Sequence, residues 1–199
     1  MLLFIELITL AFFLVCAAHA VASRGREGAW LYGSLIFLGF LRENFVALYK
    51  LLYEFAPLTL QLGAAPVIGS IIWSYSIYIT ILWTEEMTGE SLGSRPGPPL
   101  PFLGLSALFM AALAGFYEPF LKLIGMARWE EGTRTVLDVP LIAPVGYASL
   151  TVLFLLAWTW IRRMGLPGGR RAAALAAALV PISLGHAAGL QALKTYLGW

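Results

Sequence analysis

The chain has 199 residues, of which 60% are hydrophobic and 12% charged, with a mean hydropathy of +0.81. Soluble globular domains carry about twice that share of charge, so a soluble enzyme is excluded and one polytopic membrane domain, residues 1–199, is expected. A net charge of +2, thinly spread, argues against a nucleic-acid partner, and a lone cysteine, Cys16, excludes an internal disulfide or a cysteine-rich metal site.

The expected fold class is all-α, a polytopic membrane helical bundle of about six transmembrane helices, because each span needs about 20 apolar residues. Residues 2–21 form the first. Ala18-His19-Ala20 resembles a signal-peptide cleavage site, but no basic residue precedes it and Glu6 interrupts the apolar run, so a retained helix is expected. Residues 29–53 form the second span and carry Arg42-Glu43. Along it Glu43, Ala47, Lys50 and Glu54 recur at helical spacing and share one face, and Lys50 and Glu54 are placed to pair. The third span, 64–84, holds Trp73, Tyr75 and Tyr78. The link Thr88 to Pro99 cannot continue a helix. The fourth span, 100–123, carries Tyr117-Glu118-Pro119. The fifth, 140–161, starts beside Asp138, and the sixth, 172–195, contains His186. No repeat of fixed period is legible.

Basic residues in short links set orientation. Arg162, Arg163, Arg170 and Arg171 flank the last link, which is expected to face the cytoplasm. Six spans then put the Arg24/Arg26 and Arg95 links on that same side. Spans two and four both run outward, which gathers Glu43, Glu118 and Asp138 in the outer half of the membrane.

An ionisable group inside a span costs at least ~2.5–3.5 kcal/mol and persists where it pairs or functions. Glu118 is the sharpest case, since a carboxyl that stays protonated can donate its proton to a substrate. Pro119 removes a backbone donor and bends or ends the helix. The plain structural alternatives are a packing seam in which Arg42 or Lys50 neutralises Glu43, and an interfacial Glu118 touching Lys122. Trp158, Trp160 and Trp199 read as interfacial anchors. Trp73, Tyr75 and Tyr78 lie deeper and suit either bundle packing or stabilisation of a cation. His19 and His186 are the only histidines, which excludes histidine-rich di-iron chemistry. The chain has no glycine-rich phosphate loop and no aspartate-rich box for a diphosphate. No metal and no cofactor are expected.

Two stretches together resemble the integral-membrane carotenoid biosynthesis family that includes bacterial carotenoid 1,2-hydratases. The first runs from Glu43 through Tyr53, Gly63 and Ala65-Pro66-Val67-Ile68 to Trp73. The second runs from Glu118-Pro119 through Trp129 and Asp138-Val139-Pro140-Leu141 to Gly146-Tyr147. The chain departs from that pattern at Glu118, where the family has Asp, and at Ala114, Ala143 and Tyr147, where it has an acid, Asn and Trp.

The resemblance implies acid catalysis on an isoprenoid carbon–carbon double bond, in a bacterial or archaeal cytoplasmic membrane. Glu118 would protonate the double bond, and Glu43 or Asp138 would position water or collect the released proton. Trp73, Tyr117, Trp129, Tyr53 and Tyr78 would line the substrate, a hydrophobic isoprenoid arriving from the lipid bilayer. The outcome is hydration or cyclisation. The alternative is a small membrane transporter or lipid-binding subunit.

Overall fold

The computed structural model describes residues 2–49, 53–55, 60–94 and 97–199, with backbone alone for 2 and 53–55. Lys50 and Arg95 lie outside the described residues, and the side chains of Tyr53 and Glu54 do too. Among the described residues, five helices are long and apolar enough to cross a membrane. They are α1 (Leu2–Leu48), α2 (Val67–Thr88), α3 (Leu100–Leu123), α4 (Ile142–Arg163) and α5 (Gly168–Leu197). Prolines 66, 99 and 167 stand just before α2, α3 and α5, where a fixed φ suits a helix start.

The first two predicted spans are joined in α1, which is not straight. Gly25 has φ 55 and ψ −134, a backbone conformation that glycine reaches without penalty. The Tyr32 hydroxyl donates to the Phe13 carbonyl at 3.0 Å, and the two rings lie 5.4 Å apart. In a straight helix those residues would stand about 28 Å apart. The helix therefore doubles back at Gly25 into two antiparallel limbs. Gly28 lets the limbs touch, since a Cβ there would stand 1.8 Å from the Ala20 carbonyl oxygen.

The second limb ends at Leu48, earlier than its apolar run suggests. Glu54 is not on that helix but in β1 (Tyr53–Phe55), so the expected Glu43–Glu54 face is broken. β1 pairs antiparallel with β4 (Ala127–Trp129), with Tyr53 opposite Trp129 and Phe55 opposite Ala127. Two tight hairpins flank this ribbon: β2 (Gln61–Leu62) with β3 (Ala65–Pro66), and β5 (Thr135–Val136) with β6 (Val139–Pro140).

These pieces repeat. β1, β2 and β3 recur as β4, β5 and β6, each 74 residues later, and each set sits between two long helices. The burial pattern repeats as well. Leu31, Leu35, Gly39, Glu43 and Val46 of α1 are buried, and so are Ser106, Met110, Ala114, Glu118 and Leu121 of α3, each 75 residues on. Ile68, Trp73, Ile77 and Ile81 of α2 match buried Ile142, Tyr147, Thr151 and Leu155 of α4 at the 74-residue spacing. The chain thus has two helix–strand–hairpin–helix halves, joined where β1 meets β4. The expectation of no repeat is corrected: the halves share burial and backbone order with few identities.

The main core draws on all five helices, around Leu35, Ile77, Met110, Phe154 and Leu179, and a second cluster of Val46, Ile68, Leu121, Met126 and Leu190 sits beneath the strands. The outer faces of α1 and α3 expose Phe4, Leu7, Val15, Leu108 and Phe116, large apolar side chains of the kind that meet lipid or a partner. Away from the strands, Arg24 pairs with Glu85, and Glu27 with Arg171 at 2.6 Å and Arg162 at 3.8 Å. Arg162 also donates to the Gly93 carbonyl. The links around Gly25, residues 89–94 and residues 164–167 therefore gather at one end.

Candidate active site

Four helices bring polar groups together beneath the strands. The second limb of α1 supplies Arg42 and Glu43, both buried. Arg42 Nη1 donates to Glu43 Oε1 at 2.6 Å, and Trp73 Nε1 of α2 donates to the same oxygen at 2.5 Å. The Arg42 guanidinium lies over the Trp73 ring, 4.6 Å from its centroid, and 6.0 Å from that of Tyr147 of α4. The Trp73 and Tyr147 rings meet at 4.5 Å. Hydrogen bonds to a charged group are each worth about 1.5–3 kcal/mol, and the ring faces add cation–π attraction.

Glycine makes room for this arrangement. A Cβ on Gly69 would stand 3.0 Å from Glu43 Cγ and 3.2 Å from Cδ. Gly39 does the same between helices, since its Cβ would lie 2.4 Å from the Ser70 carbonyl oxygen. A small cleft of about 20 Å³ remains, lined by Glu43, Gly69, Ile72, Trp73, Leu121, Met126 and Tyr147. That volume takes one water, with Glu43 and Tyr147 to bind it.

Glu118 of α3 is fully buried, and neither of its carboxyl oxygens makes a hydrogen bond within normal geometry. Tyr147, Arg42 and Glu43 are the polar and charged groups that act on it. The interfacial alternative is not what forms: Lys122 turns outward and pairs with Asp138. On α5, His186 borders the site. Its Nε2 lies 2.9 Å from Ser149 Oγ, and Arg42 is within its electrostatic reach.

Of the predicted catalytic trio, then, Glu43 and Glu118 converge. Asp138 does not. It is exposed at the β5–β6 turn with φ 62 and pairs with Lys122. The turn rotates it away from the bundle although it lies only four residues before α4. Among the aromatics, Trp73 is in the cluster. Tyr117 is bonded by Ser76 Oγ at 3.2 Å, on another face of α3 from Glu118. Tyr78 lies deeper, bonded to His19 Nδ1 at 2.8 Å. Trp129 is half-buried in β4 over the second core cluster. Tyr53 lies opposite it in β1, its side chain outside the described residues. Tyr147 was noted in the sequence only as a departure from the family pattern, and Gly69 not at all. Among the described residues no three His, Cys, Asp or Glu side chains gather to hold a metal.

No family model, no curated protein and no solved structure matches this chain.

Proposed function

We propose that the protein is a six-span integral-membrane enzyme that protonates an isoprenoid carbon–carbon double bond and hydrates or cyclises the resulting cation. The observation that carries this reading is Glu118, a wholly buried carboxyl that makes no hydrogen bond within normal geometry, beside Glu43, whose carboxylate is bonded by Arg42 and Trp73. Carboxylates in unlike settings divide acid and base roles.

The six spans are the two limbs of α1 and helices α2 to α5, with the arginine-rich end in the cytoplasm of a bacterial or archaeal cell. Glu118 passes its proton to the less substituted carbon of the double bond. The tertiary cation faces Trp73 and Tyr147, rings that already hold the Arg42 guanidinium. Water from the cleft beside Glu43 adds to the cation, and Glu43 takes the proton that this water sheds. An internal double bond would capture the cation instead to close a ring, with Glu43 taking a ring proton. The cleft supports hydration as the first outcome. The space beside Glu43 is too small for an isoprenoid, so its end enters from the bilayer by parting the surrounding helices. The reaction is redox-neutral, and the residues named suffice for it.

Expression in a host that accumulates a linear carotenoid tests this reading. A product heavier by one water supports hydration, and a product of unchanged mass with altered retention supports cyclisation. Unaltered carotenoid with the protein inserted in the membrane would sink it.

The second reading is transport. The two halves favour it, because parallel repeats recur in transporters with sites at the repeat interface. Against it, both acids sit five residues from the ends of their helices rather than at mid-membrane. Proton flux into vesicles of purified protein would favour transport.

A further inference from the structure

We infer that Arg42 divides two equivalent carboxylates between unlike roles: it holds Glu43 as an ion-paired carboxylate and leaves Glu118 as the one that carries the proton. This deepens the enzymatic reading, and rests on it only for what the proton is used for.

Equivalence comes first. Glu43 and Glu118 each lie five residues before the end of their helix, at Leu48 and Leu123. Each belongs to the buried series that recurs at 75 residues. Each faces the aromatic residue seven positions beyond the proline that closes its hairpin: Trp73 after Pro66 for Glu43, Tyr147 after Pro140 for Glu118.

The difference is one residue wide. The position before Glu43 is Arg42, which bonds it. The position before Glu118 is Tyr117, which is engaged with Ser76 instead. Trp73 donates to Glu43, whereas Glu118 receives no bond within normal geometry. Among the described residues, the groups of opposite or variable charge set at the pair are Arg42 on α1, Tyr147 on α4, and His186 on α5, held by Ser149; Lys50 lies outside the described residues. The Lys122–Asp138 pair is exposed and turned outward. Among the described residues, one buried guanidinium thus stands between two buried carboxyls. Ionising both would leave one negative charge uncompensated in an apolar bundle, which is strongly disfavoured. One proton must remain, and the carboxyl without the guanidinium keeps it. Arg42 is a positioning residue, acting through Glu43.

A hydrophobic carbodiimide reads this without turnover, since it adds to a protonated carboxyl and spares a carboxylate. Native protein in detergent is treated with dicyclohexylcarbodiimide, digested, and the adducts located by mass spectrometry. Glu118 should carry the adduct about tenfold or more over Glu43. Arg42→Lys retains the charge and should keep the adduct on Glu118. Arg42→Gln should spread it over both, and Arg42→Gln combined with Tyr117→Arg should move it to Glu43. A native adduct on Glu43, an even split, or no adduct at either carboxyl would overturn the division. So would an unchanged pattern in Arg42→Gln. An adduct on Glu118 in a protein that leaves every isoprenoid unaltered would sink the catalytic reading alone.

Discussion

Trp73 and Tyr147 occupy the same place in the two halves of the chain, and their rings touch, 4.5 Å between centroids. Each belongs to one carboxyl, so the contact joins the two acids into a single cluster. Arg42, Glu43 and Glu118, all buried, therefore meet at a junction of the halves, and the variants that probe the site are those that disturb it.

Glu118→Gln keeps size and most polarity but carries no acidic proton. Activity in the carotenoid-producing host should fall by ~10²–10⁴-fold, the range for loss of a general acid, while insertion and yield stay native. Glu118→Asp should retain part of the activity. Full activity in a well-expressed Glu118→Gln would move the acid elsewhere.

Trp73→Phe retains an aromatic face but withdraws the indole donor from Glu43. Losing one hydrogen bond to a buried charged group costs about 1.5–3 kcal/mol, so thermal unfolding in detergent should show a lowered midpoint. An unchanged midpoint would mean that this bond contributes nothing.

Gly69→Ala probes the cleft. The added methyl would press on Glu43 Cγ and Cδ and occupy the space for water. Any hydration product should drop sharply relative to a cyclised one, with expression preserved. An unaltered product ratio would place the attacking water elsewhere.

Asp138→Asn removes one member of an exposed ion pair, worth at most about 1 kcal/mol. Activity and unfolding midpoint should both stay near native. A strong loss of activity would return Asp138 to the site.

A reporter inserted in the 164–167 link should behave as cytoplasmic and one fused after Trp199 as external. The reverse result would invert the proposed orientation of the arginine-rich end.

Most of the helical architecture is legible because apolar runs of span length stand out. α3 falls on its predicted bounds, 100–123, and the other helices within several residues of theirs. The strands are not legible. Each is only two or three residues long, too short for alternation to register. The repeat is hidden for a related reason: a membrane helix face is specified by size and apolarity, so Leu35 and Met110, or Trp73 and Tyr147, do the same work without sharing identity. Glu43 and Glu118 were visible because charge in an apolar run is conspicuous. Asp138 was misplaced because closeness in sequence to a span says nothing of which way a two-residue turn will face it. Tyr147 enters the sequence reading only as a departure from the family pattern, because nothing in its neighbours along the chain signals that it meets Trp73 across the bundle.

The β1–β4 ribbon has a consequence for biosynthesis. Tyr53–Phe55 emerges from the ribosome more than seventy residues before its partner strand. Until Ala127–Trp129 is made, the first half has an unpaired edge and an Arg42–Glu43 pair without the Tyr147 ring or the α3 wall. The acid cluster is therefore completed late, as the second half docks onto the first. Co-expressed fragments broken at residues 89–94 have that same edge as a template for finding each other.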